Sequence, residues 1–299
     1  MISNFAIYLT IIFIGCFAFS VIINFILLKF AQTLGVRGKD VNQVRWSPTI
    51  KPSLGGISFF IIFLFALILI SLSPIQILGK HIQLIGIFIS ITLAFLMGLA
   101  DDAFNTQPLV KLITQIICGL ILVLSGNGIL IFENVFLNIC VLATLIGFLL
   151  FNFHPSKMFM GDTGSQFLGL FLGYTSINLF WNNENVTTLI NPVFFNSLLI
   201  ALVFCIPLTD TITVIINRIK QGKSPFVGGK DHTTHHLFYK GITEKRIFIL
   251  FLITTVVACV FAYQMVFHFN IILLYFAIVY VLVVFVTLYL NTIIKKSEK

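Results

Sequence analysis

The sequence predicts an all-α, multi-pass integral membrane protein of about nine transmembrane helices, with the N-terminus outside and the C-terminus cytoplasmic. Three observations predict it. Of 299 residues, 59% are hydrophobic and only 9% charged, with a mean hydropathy of +1.08, whereas soluble domains are about half apolar and a quarter charged. Nine apolar stretches each approach the roughly 20 residues that cross a hydrocarbon core. The basic residues gather almost entirely on one side of the segments between those stretches.

The stretches run over 5–28, 54–72, 83–100, 108–130, 134–151, 165–181, 192–216, 247–267 and 270–291. The first is too long for the apolar core of a removable signal peptide and lacks its charged start and small-residue cleavage site, so it reads as a permanent anchor. Pro48, Pro52, Gly55 and Gly56 around Lys51 break the chain before the second. Leu99-Ala100-Asp101-Asp102-Ala103-Phe104-Asn105 closes the third, and Lys111 and Gln115 share a face at the start of the fourth. Thr163 or Ser165 can cap the sixth, and Pro207 with Asp210 lies inside the seventh. No repeat, low-complexity tract or linker interrupts the series, so residues 1–299 read as one transmembrane domain. Cys16, Cys118, Cys140, Cys205 and Cys259 all sit in apolar stretches without paired short spacing, which argues against disulfides or a zinc site.

With the N-terminus outside, segments 30–53, 101–107, 152–164, 217–246 and 292–299 share one side. Counting Lys29 and Lys111 with the ends they flank, that side holds every Lys and Arg except Lys80, which makes it cytoplasmic. The net charge of +8 is thus a one-sided basic surface facing anionic lipid head groups of the bilayer, and nucleic-acid binding is not needed to explain it. Of ten carboxylates only Glu133 and Glu184 fall outside, and Asp101, Asp102, Asp162 and Asp210 sit at or within span ends. Ionisable groups there are costly and default to functional candidates.

Three constellations carry chemistry. Asp101 and Asp102 repel each other and invite a cation, such as a divalent metal bound to phosphate; a solvated helix end is the plain alternative. Helical spacing would put Asn105 on the face of Asp101. In Asn152-Phe153-His154-Pro155-Ser156-Lys157-Met158-Phe159-Met160-Gly161-Asp162-Thr163-Gly164-Ser165, two glycines bracket Asp162 in a tight turn, and the next helix offers N–H groups to an anion. An acid beside an anion site makes sense if a metal bridges the two. Lys230-Asp231-His232-Thr233-Thr234-His235-His236 concentrates three of the six histidines, which suit a transition metal or phosphate oxygens, with Asp231 orienting one ring. Lys111 either snorkels to the interface or holds a phosphate.

These groups, in this order and on one side, resemble the polyprenyl-phosphate N-acetylhexosamine-1-phosphate transferases. That family carries an aspartate pair, a Pro-x-Lys-x-Phe-Met-Gly-Asp-Thr-Gly-Ser segment and a late histidine-rich loop, matched here by Asp101-Asp102, Pro155 to Ser165 and Asp231 to His236. Lys51-Pro52-Ser53-Leu54-Gly55-Gly56, Lys111 with Gln115, and Pro207 with Asp210 extend the resemblance over roughly 30–245, and the Asp-His-x-x-His-His loop looks more like the N-acetylglucosamine type. The resemblance implies attack of an undecaprenyl phosphate oxygen on the β-phosphorus of a UDP-N-acetylhexosamine at the inner leaflet of a bacterial cytoplasmic membrane. The products are lipid-diphospho-sugar and UMP, magnesium is the expected cofactor, and the setting is cell-wall or lipopolysaccharide biogenesis. It implies that Asp162 coordinates the metal while Asp101 or Asp102 assists the attacking phosphate or the metal. Lys111 and the segment Asp231, His232, His235 and His236 would neutralise the diphosphate, Phe159 would stack on uracil, and Lys51, Asn152 and Gly161 complete the expected substrate site. A homodimer is compatible with it.

The chain departs from the family in one place. Between the aspartate pair and the Gly-Asp-Thr-Gly turn the family carries about four spans and an Asn-rich Asp-x-x-Asp-Gly segment, whereas this chain has the two stretches 108–130 and 134–151 and no acid but Glu133. Loss of two spans keeps the parity of the topology, and a gap near 132–140 is consistent with an internal deletion. The alternatives are a catalytically impaired homologue that binds lipid phosphate or partner proteins, and a small-molecule transporter, which would place its charges near the midplane rather than at one face.

Overall fold

The computed structural model describes residues 2–31, 51–72, 80–125, 131–153, 155–181, 191–226 and 229–293. Among them the helices run in chain order: α1 (Ile2–Lys29), α2 (Gly55–Ser71), α3 (Lys80–Phe104), α4 (Pro108–Ser125), α5 (Ile131–Asn152), α6 (Gly161–Ser176), α7 (Pro192–Val203), α8 (Cys205–Lys220), α9 (Thr233–Tyr239), α10 (Glu244–Phe267) and α11 (Ile271–Ile293). A π turn, Ile177–Trp181, continues α6. No strand occurs among the described residues. Among the described residues each apolar stretch read from the sequence lies mainly on helix, and six helices there are long and apolar enough to cross a bilayer.

The stretch 192–216 is the exception to a simple span: α7 and α8 meet at Phe204 with a bend of 88°, and the pair counts as a seventh crossing only if taken together. Pro207 supplies the reason. It has no N–H to give the carbonyl of Val203, and its ring would clash there, so the helix restarts with the proline in the first turn of α8. α7 in turn starts on a strong signal, Pro192 after Asn191, whose Oδ1 accepts from the N–H of Val193 at 2.9 Å and of Phe194 at 3.3 Å.

The chain divides into two compact units, Met1–Thr175 and Ser176–Lys299. In the first, α1 packs on α2 and α5, α2 also packs on α3 and α5, and α3 packs on α4. Phe59 and Phe63 of α2 meet Phe167 and Phe171 of α6, and Phe59 meets Phe148 of α5 edge-on at 5.3 Å. Lipid tails are as apolar as these rings, so the gain here is close packing rather than escape from water. Polar glue adds to it: buried Asn24 donates to Ser20 and to Ser58, and Ser20 donates to the carbonyl of Thr144 on α5 at 2.8 Å. In the second unit, α7 packs on α10 and α8 on α11, around Phe195, Leu199, Leu202, Ala258, Met265 and Ala277. Large apolar side chains such as Ile11, Phe65, Leu124, Ile253 and Phe276 point outward in both units, as a lipid solvent allows.

Candidate active site

The first unit builds its site where α3 ends. Asn105 takes a left-handed conformation, φ +52°, and its N–H donates to the Asp101 carbonyl at 2.9 Å. Asparagine tolerates this region and stops the helix there. Asn105 therefore does not lie on the helix face of Asp101, as the spacing suggested. It turns the chain so that the Thr106 N–H and hydroxyl both donate to the Asp101 carboxylate at 2.9 Å. Lys111, in the first turn of α4, forms an ion pair with the same carboxylate. Asp101 is buried at 3% exposure, a place a carboxylate holds only with such partners.

Asp102 points the other way. Its carboxylate accepts from the N–H of Asp162 at 3.0 Å, the N–H of Thr163 at 2.9 Å and the Thr163 hydroxyl at 2.7 Å. These are the orphan donors of α6, so the anion expected at that helix start is Asp102 itself, a cap supplied from another helix. Gly161 makes the approach possible. Its φ is +76°, and a Cβ there would stand 2.5 Å from the Asp102 carboxylate and 2.6 Å from the Ser53 carbonyl. The Asp162 side chain then lies beside that of Asp101, near enough for the two carboxyl groups to bear on each other's charge. Asp101, Asp102 and Asp162, drawn from the end of α3 and the start of α6, thus form one constellation.

The segment before α6 lies along the start of α2: Phe159 N–H donates to the Pro52 carbonyl at 2.8 Å, and the N–H groups of Gly55 and Gly56 donate to the carbonyls of Phe159 and Met160 at 3.1 and 3.0 Å. Asn152 secures it from α5, its amide donating to the Met158 carbonyl at 3.1 Å. The outcome is an exposed Phe159 ring with the Lys51 ammonium 5.3 Å from its centroid. Lys51 also donates to Ser156 at 2.8 Å. Gln115 pairs with Gln166 of α6 at 3.0 Å beside a cleft of about 370 Å³ lined by Ala94, Met97, Thr114, Cys118 and Gly169. His154 lies outside the described residues.

The histidine segment belongs to the second unit. Arg218, at the end of α8 and 7% exposed, grips Asp231 with two nitrogens at 2.6 and 2.7 Å and also donates to the Pro225 carbonyl at 2.8 Å. The guanidinium holds the Asp231 carboxyl below the usual carboxylate range. The acid that orients a ring is Asp210, not Asp231: His232 Nδ1 lies 2.7 Å from Asp210 Oδ2, while the Thr233 N–H and hydroxyl donate to Oδ1 at 2.7 and 2.6 Å. That hydrogen bond, then the Asp210 charge, raises His232 above the ordinary imidazole value. Burial lowers His235 and His236 instead. No group of three or more His, Cys, Asp or Glu side chains is arranged to hold a metal among the described residues, so a transition-metal role for the histidines finds no support in their placement.

Sequence reasoning missed Arg218, Thr106, Ser156 and Gln166. Arg218 carried a signal, a cation in the last turn of a helix that ends in a loop with one acid. The other three are neutral side chains whose roles depend on which helix end lies beside them.

Residues 132–180 match the profile of glycosyl transferase family 4. Over 134 residues the chain is 31% identical to the probable undecaprenyl-phosphate N-acetylglucosaminyl 1-phosphate transferase of Bacillus subtilis, covering 44% of this chain and 34% of that one. It is 31% identical over 132 residues to the decaprenyl-phosphate N-acetylglucosaminephosphotransferase of Mycolicibacterium smegmatis, covering 42% and 32%. A Yersinia pestis undecaprenyl-phosphate alpha-N-acetylglucosaminyl 1-phosphate transferase is 29% identical over 183 residues, covering 58% and 47%. The match spans about a third of the length of the first two relatives. No solved structure matches the chain. The comparisons agree with the resemblance that the motifs carry: over part of its length the chain is similar to proteins named as polyprenyl-phosphate N-acetylglucosamine-1-phosphate transferases, and its described residues form a helical protein with several helices apolar enough to cross a membrane.

Proposed function

We propose that the protein transfers N-acetylhexosamine-1-phosphate, with N-acetylglucosamine as the preferred sugar, from a UDP-sugar to undecaprenyl phosphate and releases UMP. The observation that carries this reading is the meeting of Asp101, Asp102, Asp162 and Lys111 at one helix junction. In the reaction a lipid phosphate oxygen bonds to the β-phosphorus of the donor, and the bond from that phosphorus to the bridging oxygen breaks toward UMP. Such transfers ask mainly for positioning and charge neutralisation.

Asp101 and Asp162 would be the residues to hold a magnesium ion, because two neighbouring carboxylates repel unless a cation or a proton joins them; among the described residues no third acid, histidine or cysteine completes a metal group with them, so the remaining ligands would come from substrate phosphate and water. Bound there, magnesium would neutralise charge on the diphosphate. Lys111 holds Asp101 in place and adds positive charge beside it. Asp102 fixes the turn that carries Asp162. The exposed Phe159 ring offers a stacking face for uracil, with Lys51 beside it; the histidine segment, in the second unit, offers donors that suit phosphate. The same reading keeps nine crossings, an outside N-terminus and a cytoplasmic site in the bacterial inner membrane, with α7 and α8 counted as one crossing. It also keeps an internal deletion near 132–140 relative to the family.

The test is UMP release from UDP-N-acetylglucosamine, undecaprenyl phosphate and magnesium. Wild type should exceed Asp162→Ala by at least about a hundredfold, the scale on which removal of a charge-stabilising group is felt. One second reading is a catalytically impaired homologue that binds lipid phosphate or partner proteins, which the missing Asp-x-x-Asp-Gly segment favours. Equal background release from both proteins would select it.

A further inference from the structure

We propose that Asp210 is a positioning residue: by holding His232 through Nδ1 it leaves Nε2 as the outward donor of that ring to a phosphate oxygen of the substrate. The inference rests on reading the histidine segment as a phosphate binder.

The geometry separates two acids that sequence alone would treat alike. Asp231 is taken up by Arg218, which ties the segment to the end of α8. Asp210 uses both oxygens on its own neighbours, one on His232 and one on Thr233, and so acts through the ring rather than on a ligand. A carboxylate accepts only, so the His232 nitrogen facing it must carry hydrogen. In the neutral ring Nε2 then has no proton to give; in the imidazolium it has one, and the carboxylate favours that charged form. The His232 side chain is 44% exposed, which leaves Nε2 room to meet a ligand.

The charged and titratable groups around the ring are Asp210 and Arg218 from α8, Asp231 from the preceding loop, and His235, whose ring centroid lies 5.7 Å away. α9 also packs on α10, which opens with Glu244, Lys245 and Arg246, and on α11, where Lys240 donates to Asn291. Of the three histidines, His235 and His236 are pushed toward the neutral form by burial, and His232 is the one whose surroundings favour the cation.

The experiment uses the full chain in lipid nanodiscs with ¹⁵N-labelled histidine, His232→Gln assigning the resonance. Asp210→Asn keeps an acceptor oxygen for Thr233 but removes the charge, and Thr233→Val removes one hydrogen bond but keeps the charge. We expect Asp210→Asn to move the His232 titration midpoint to lower pH and Thr233→Val to leave it in place, with His235 and His236 resonances reporting an intact fold. The His232 resonance of the wild type should respond to inorganic pyrophosphate, and Asp210→Asn should need about ten- to a hundredfold more, the usual cost of losing a residue that orients a histidine ligand. In the transferase assay the alkaline fall in kcat/KM should move with the midpoint. An unmoved midpoint in Asp210→Asn, or a wild-type ring indifferent to pyrophosphate, overturns the proposal. A ring that behaves as expected in a protein that releases no UMP instead overturns the transferase reading and leaves Asp210 in its role.

Discussion

Asp102 shows how one side chain can be read correctly for place and differently for task. The adjacent acids were legible as a functional pair, yet only Asp101 meets Asp162 by its side chain, while Asp102 is spent on backbone donors of α6. Asp102→Ala should therefore destabilise the protein by about 1–2 kcal/mol, the cost of a lost cap, measured by thermal unfolding in detergent against Asp102→Asn, which keeps an acceptor and should lose less. His232 gives a second expectation. Its folded value is raised above the ordinary 6.5 by Asp210. The stability that pair contributes is then fully present below about pH 6.5 and lost as pH rises through the folded value. The difference in unfolding midpoint between wild type and His232→Gln should shrink toward zero on the alkaline side, and a difference that grew with pH would contradict the pairing.

At the scale of elements, the site depends on how closely α2, α3 and α6 approach. A Cβ on Gly56 would lie 2.2 Å from the Gly164 nitrogen, and one on Gly98 would lie 2.4 Å from the Asp162 carbonyl. These are backbone atoms, which cannot swing aside. Gly56→Ala should cost about 1–3 kcal/mol by overpacking and displace the start of α6 from Asp102. The check is a lowered unfolding midpoint together with lost UMP release in the assay that tests the proposed function, against Gly119→Ala, whose added methyl meets nothing within 4 Å and should be neutral. The hydropathy pattern showed where these helices run but not the bend between α7 and α8, because a mean over about 20 residues is blind to where one proline withholds its N–H.

For the whole molecule, the one-sided placement of Lys and Arg predicts orientation. A cysteine at Asn185 should react with a membrane-impermeant thiol reagent on intact cells, and one at Ser224 only after the cells are opened, in a background lacking the native cysteines. The reverse pattern would invert the topology and remove the basis for a cytoplasmic site.

The sequence by itself determined the solvent of this protein, its helices and the identity of the acids, because hydropathy, period and motif order are local properties written in the residues concerned. The tertiary structure decided what each acid does. Asp101 faces Lys111 and Asp162, Asp102 faces the start of α6, Asp210 faces His232, and Asp231 faces Arg218. Each of those assignments depends on a partner between ten and sixty-one residues away, and charge selects among such partners only once packing has brought one of them within hydrogen-bonding distance.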